Sequence, residues 1–419
     1  MISIRTIGFS ISGRRFAGTL FVLIGALALL GVTAAPGHAA KRGVIAVRTV
    51  QVAKPGNASI GVVPFTDAIY DSCADAPSAK QGCQTVGAVG YRYGIGQLET
   101  TVAQWVKFLN TSDPNGRNRD RLYEKTQSSS KWPEYGQVNK RSRAKPGHFY
   151  SVAAKEWADK PYGFATFLSA ARFVNSLDNG KVLSKKSSAG GGFKYTTYKV
   201  RLSPKTGRGM YNLKNRNATR AKKRGFVVPS QDEWIKAAYF DPSDGTYWKY
   251  PTNAGVYGDG SATAPNPTEL DVATGNVTNG SDHPLAAFKL SDDQVPNWCP
   301  PAAETSSGDC STTNPFGLSP TTYAKAFIGS LETVGQARTT SPWGTLDQGG
   351  NAVEWTDTIT PPPSGRGGGR VWRRLHGGIS NSTAYQMWPS AVGLQPQDNF
   401  FYARTYPWLG IRVGVVGGL

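Results

Sequence analysis

Glycine and proline set the first limit on this chain: they make up 49 and 27 of its 419 residues. Glycine loses the most backbone entropy on ordering, and proline fixes φ and removes an N–H donor, so neither supports long helices or central strands. A helical bundle is excluded, and a loop-rich fold of short elements remains. Hydrophobic residues at 39%, with 11% aromatic, still suffice for a sizeable core, which excludes global disorder. The 11 Trp and 18 Tyr suit such a fold, because large flat side chains pack irregular segments.

Three stretches keep helical periodicity. Thr100–Asn110 places Val102, Trp105, Val106 and Leu109 on one face behind a threonine cap. Phe164–Leu177 does the same with Phe167, Ala170, Ala171 and Val174. Gln231–Tyr239 follows Pro229 and Ser230, a helix start signal. Before the first helix, Val89–Gly96 alternates as a strand does. Polar stretches near 111–148, 181–224 and 285–340 read as insertions, and 241–345 shows no regular periodicity.

The amino terminus predicts export to the periplasm or the outside of the cell. Arg5, Arg14 and Arg15 precede an apolar run, Phe16–Val32, and a small-residue segment, Ala34–Ala40. A positive region, an apolar region and a small-residue cleavage site describe a secretory signal over 1–39. The 17-residue run is just long enough to span a bilayer, but Gly25, Pro36 and Gly37-His38-Ala39 point to its removal, which leaves no stable span. Arg14-Arg15-Phe16 hints at the twin-arginine route. Residues 40–85 then lead into one domain over 86–419. Cys73 and Cys83, with Cys299 and Cys310, read as two local disulfides in an exported chain. The separations match no zinc spacing, and no histidine lies near them. A net charge of +19 favours anionic partners. The basic runs Lys140–Lys145 and Lys214–Arg224 lack the interleaved aromatics of a nucleic-acid platform, so they read as solvated loops and nucleic acid is not expected.

Six segments in order carry more than any one alone. Gln97-Leu98-Glu99-Thr100-Thr101 opens an aromatic helix, and Lys160–Phe164 leads into Ala170-Ala171-Arg172-Phe173-Val174-Asn175. Val228-Pro229-Ser230-Gln231-Asp232-Glu233-Trp234 with Ala237-Ala238-Tyr239 comes third, and Gly344–Trp355, with Gly349-Gly350-Asn351 inside it, comes fourth. His376-Gly377-Gly378 and Leu409-Gly410-Ile411-Arg412-Val413 complete the series. In this order they resemble the domain of the formylglycine-generating enzyme, or sulfatase-modifying factor, family. The resemblance covers about Val86 to Leu419. It implies one large irregular α+β domain, a variant of the C-type-lectin-like architecture, loop-rich with short antiparallel strands and few helices. Trp105, Trp234 and Trp355 read as core anchors, and Arg412 as a partner of Glu233 or Glu99.

Asp347–Glu354 is the best metal candidate by chemistry, since hard cations take carboxylate and carbonyl oxygens and glycine lets the backbone fold around them. The resemblance implies a structural calcium held by the side chains of Asp347 and Glu354 and the carbonyls of Gly350 and Ala352. The other reading is a tight turn with Glu354 buried against an arginine or backbone amides. The family's enzymes carry two cysteines after their Arg-Gly-Gly-Ser turn, and these bind copper(I). Here Ser382 and Met387 stand at those positions, Ile379 replaces the turn serine, and no cysteine follows Cys310. Hydroxyl and thioether do not replace two thiolates for copper(I), which argues against copper and against formylglycine formation. Two functions remain. One is a monomeric binding or accessory protein whose cleft around 376–404 takes an extracytoplasmic peptide, protein or glycan. Tyr385, Trp388, Phe400, Phe401, Tyr402 and Trp408 crowd that region. The other is an oxidoreductase-type enzyme with an altered site, in which His376 acts with Ser382, or with Ser380 or Tyr402.

Overall fold

The computed structural model describes residues 43–62, 83–128, 137–252, 331–362 and 369–418, apart from 381, 383 and 399–407, together with isolated positions in 254–286. The expected signal segment 1–39 and Cys73, Cys299 and Cys310 lie outside the described residues, whereas Cys83 is disulfide-bonded. No described helix is long and apolar enough to cross a membrane.

Three α-helices form where the periodicity predicts: α1 (Val102–Ser112), α2 (Phe167–Asp178) and α3 (Gln231–Tyr239). Each opens on a reciprocal capping box, Thr101 with Gln104, Thr166 with Ser169, and Ser230 with Glu233. Such a cap satisfies two otherwise orphaned N–H groups and contributes about 1 kcal/mol. The helices' apolar faces meet in one aromatic cluster. Trp105 stacks on Tyr162 at 4.3 Å between ring centres, and Phe108 meets Phe173 edge-on at 5.2 Å. Truncating a buried aromatic of this kind costs about 3–5 kcal/mol.

The strands are β1 (Val44–Val52), β2 (Ile60–Val62), β3 (Gln84–Val86), β4 (Tyr93–Gly96), β5 (Val138–Lys140), β6 (Tyr150–Val152), β7 (Lys181–Gly190), β8 (Phe193–Arg201), β9 (Gly225–Val227), β10 (Trp248–Tyr250), β11 (Ala254–Val256), β12 (Asn266–Pro267), β13 (Leu285–Ala286), β14 (Val353–Thr360), β15 (Trp372–His376), β16 (Gly393–Pro396), β17 (Leu409–Gly410) and β18 (Gly414–Val416). Six of them form an antiparallel sheet in the order β7-β8-β1-β4-β18-β9. A second sheet has the order β16-β15-β14-β17, with β14 and β17 parallel. The remaining strands pair into two-stranded ribbons. The result is a loop-rich α+β domain.

Two boundaries differ from the sequence reading. The segment 40–85, expected to precede the domain, supplies β1, a central strand of the main sheet. Its buried Ile45 and Val47 alternate with exposed Ala46 and Arg48, a strand pattern whose partners Arg201 and Gly96 lie far along the chain. Part of the supposed insertion 181–224 is the β7–β8 hairpin of the same sheet. It turns at Gly191 and Gly192, both at positive φ (59° and 82°), as a tight hairpin requires. Its continuation is tied in by Arg373, which stacks on Phe167 at 3.8 Å and donates to the carbonyl of Ala218.

Candidate functional site

The expected metal motif and the expected catalytic turn come together at one edge of the second sheet. Gly350 donates its N–H to the Gly377 carbonyl at 2.7 Å, and Ser380 donates to the Asn351 carbonyl at 3.0 Å. Gly377 takes φ 106°, and a Cβ there would lie 3.0 Å from the Gln348 carbonyl oxygen and 3.3 Å from the Trp234 ring. A side chain at that turn would force the two segments apart.

Beside the turn lies a cavity of about 350 Å³. Its walls include Val353, Leu375, Ile379, Val392, Trp408 and Leu409, and its polar groups are His376, Ser382, Gln386 and Gln395. The cleft expected at 376–404 is therefore present over its described part. Of the six aromatics expected there, Trp408 lines it, Trp388 is half-buried, and Phe400, Phe401, Tyr402 and the side chain of Tyr385 lie outside the described residues. Gln386, Val392, Gly393 and Gln395 carry no motif, and sequence reasoning missed them.

His376 and Ser382 both line this cavity but do not form a base–nucleophile pair. His376 ends β15, buried, its ring stacked on Trp234 at 5.3 Å. Neither ring nitrogen has a hydrogen-bond partner. Burial, followed by the Arg374 charge, pushes the imidazole down to about 3, against a smaller opposing effect of the Ala391 backbone. So low a value makes it a poor general base, since an effective one titrates near the working pH. The Ser382 hydroxyl accepts from the Ile379 N–H at 2.7 Å, and Ser382 donates its own N–H to the Ile379 carbonyl at 2.8 Å. These bonds make Ser382 the tie of its own turn.

Of the four expected calcium ligands, the Glu354 side chain is already held by a cation. Arg412 holds the Glu354 carboxylate through Nε at 2.9 Å to each oxygen and through Nη2 at 2.6 Å, and Trp234 Nε1 donates to the same group at 2.6 Å. Arg412 also donates to the carbonyls of Gly96, Gln97 and Leu346. A guanidinium thus fills the cationic position, and Arg412 pairs with Glu354 rather than with Glu233 or Glu99. Asp347 sits at φ 57° and accepts from the Gly335 N–H, while its Oδ1 has no partner. Glu99 accepts from Asn351 Nδ2 at 2.8 Å and the Ala352 N–H at 3.1 Å.

Three carboxyl groups, Glu99, Asp347 and Glu354, are buried around Arg412. Burial and then the charges of Asp347 and Glu354 raise Glu99 well above the carboxylate range, and burial raises Asp347. Among the described residues no group of three or more His, Cys, Asp or Glu is arranged to hold a metal ion.

No protein-family model matches the chain, and no curated protein does. Among solved structures, CarF covers 89% of this chain and 98% of its own at 14% identity and a TM-score of 0.38. Variable protein 1 of Treponema denticola covers 88% and 94% at 14% identity and 0.36. PvdO of Pseudomonas aeruginosa covers 89% and 94% at 10% identity and 0.35. Likeness at this level identifies neither a family nor an activity.

Proposed function

We propose that this chain is an exported binding protein with a domain of the sulfatase-modifying-factor type, and that the cavity beside His376 takes an uncharged, partly apolar ligand such as an extended peptide segment. One observation carries the reading: among the described residues, the cavity is lined by no carboxylate, amine, guanidinium or thiol. With His376 held neutral, the walls offer apolar contact and the hydrogen-bonding groups of Ser382, Gln386 and Gln395, the pattern of a small-ligand site rather than of proton transfer or copper chemistry. Strand β16, which includes Gly393 and Gln395, is the last strand of its sheet, and such an edge can receive a peptide as an added strand. The family type rests on the six ordered segments, and export on the amino-terminal signal pattern.

Titrating the mature protein with N-acetylated, C-amidated hexapeptides of Leu, Val, Ser and Gln, read by the fluorescence of Trp408, tests the reading. Saturable binding that weakens at least roughly tenfold in Ile379→Arg, which brings an unpaired charge to the apolar wall, is expected. No binding, or equal binding by the variant, overturns it. A cysteine-containing sulfatase peptide should keep its mass under oxygen and added copper, and its conversion to the aldehyde would restore the enzyme reading.

A further inference from the structure

Strand β7 is the last strand of the six-stranded sheet, and nine of its ten residues are exposed. An edge of this length presents a row of backbone N–H and C=O groups with which an extended chain can pair. The register shows which side chains such a chain would meet. On one face Lys181 stands in a row with Arg201 and Val44, Ser184 with Lys199 and Ala46, and Lys186 with Thr197 and Arg48. That face therefore carries five exposed cations on three adjacent strands: Lys181 and Lys186 of β7, Lys199 and Arg201 of β8, and Arg48 of β1.

Among the described residues none of the five meets a carboxylate. Other cations do, Arg172 with Asp120, Lys222 with Asp178 and Arg370 with Asp398. No Asp or Glu occurs between Asp178 and Asp232, so the β7–β8 hairpin brings no acid of its own. Lys181 and Arg201 stand directly opposite each other, and like charges so placed destabilise a sheet. Arg48 lies over the Tyr195 ring at 4.1 Å, which holds its charge on this face. Lysines on an edge strand guard against unwanted pairing, and that accounts for Lys181 and Lys186. It does not account for Lys199, Arg201 and Arg48, which lie on inner strands. An open backbone edge beside a basic face without acids is complementary to an extended peptide with acids at every second position.

We propose that the outer edge of β7 receives an acidic, extended peptide as an added strand. The peptide backbone continues the ladder beyond β7. Its alternate Asp or Glu side chains lie beside Lys181 and Lys186, within the field of Lys199, Arg201 and Arg48. An anionic glycan meets the same cations but offers the edge no amide ladder, so the peptide is the occupant that both features favour. The edge belongs to a different sheet from the strands that line the His376 cavity, so binding here does not depend on that site.

Isothermal titration of the full mature chain at low ionic strength tests this with an N-acetylated, C-amidated octapeptide of alternating Thr and Glu. Three comparisons accompany it: the Thr/Gln octapeptide, the Thr/Glu octapeptide N-methylated throughout, which keeps the charge and loses the ladder donors, and a heparin tetrasaccharide. The Thr/Glu peptide should bind saturably, and each comparison should bind roughly tenfold more weakly or worse. The paired substitution Lys186→Glu, Arg201→Glu should weaken the Thr/Glu peptide by roughly tenfold or more. Lys214→Glu, Lys223→Glu makes the same change of net charge at two exposed positions outside the sheet and should leave the affinity within about twofold. If the charge-reversed sheet variant does not melt like the parent, Lys181→Gln, Lys186→Gln replaces it and should weaken binding in the same direction. The proposal is overturned if the Thr/Glu peptide does not bind, if the N-methylated peptide or the heparin fragment binds as well, or if the sheet variant and the remote variant behave alike.

Discussion

Arg220 and Arg412 each gather acidic side chains in the interior, yet only Arg220 brings one of its acids below the ordinary carboxylate range. Arg220 bridges Glu233, with Nη2 2.6 Å from Oε2, and Asp357. Burial alone would raise Glu233, but hydrogen bonds to Arg220, Tyr91 and the Ser230 N–H together with the Arg220 charge bring it below its ordinary range. Arg412 is taken up by Glu354, and burial outweighs its charge at Glu99 and Asp347, so both rise. Three acids gather at the second guanidinium and two at the first, and even there burial raises Asp357 against the Arg220 charge while Glu233, with more hydrogen bonds, falls. Burial and the hydrogen bonds each carboxyl receives together set the direction.

Removing the arginines should break that comparison most visibly. Arg412→Ala leaves Glu354 buried without its cation, with only Trp234 Nε1 still donating to it, and frees three backbone carbonyls, a loss of about 3–5 kcal/mol in denaturant unfolding. A loss under about 1 kcal/mol would show that the pair is not structural. Arg220→Ala should cost less, about 2 kcal/mol, because its side chain is 20% exposed and water can reach the site.

The pH response sharpens the contrast. Glu99 has a raised folded value, so its contribution is complete below its unfolded value and is lost as pH rises through the folded one. Glu99→Gln should therefore gain stability relative to the parent as pH rises from 5 to 8, by about 1 kcal/mol or more. Glu233 is lowered, so its contribution is present above the unfolded value and is lost as pH falls through the folded one. Glu233→Gln should accordingly lose ground to the parent as pH rises through the range near 4. Melting curves at several pH values read both differences, and parallel behaviour of the two variants would remove the distinction between the clusters. The smallest effect concerns calcium. With Arg412 on Glu354, neither calcium nor chelator should move the melting temperature. A calcium-dependent rise abolished by Asp347→Asn would show that an ion, not protons, neutralises the cluster.

The sequence by itself determined the three helices, the caps of the first and third and the helical aromatics of the core, because caps and 3.6-residue periodicity act within a dozen residues; the Thr166 cap of the second was not read from it. It also brought out Gly349–Glu354 and His376–Gly378 as special backbone, since glycine clusters mark turns whatever surrounds them. Tertiary structure alone decided the rest. β1 and the β7–β8 hairpin belong to the main sheet only because Val44 meets Arg201 and Thr49 meets Gly96, pairings set by long-range hydrogen bonds. Which acid each arginine takes was equally open in the sequence: Glu233 went to Arg220, Glu354 to Arg412, and Glu99 bonds Asn351 and the Ala352 N–H. Ion pairing depends on which groups share a few ångströms of dry interior, and that distance exists only once the chain has folded.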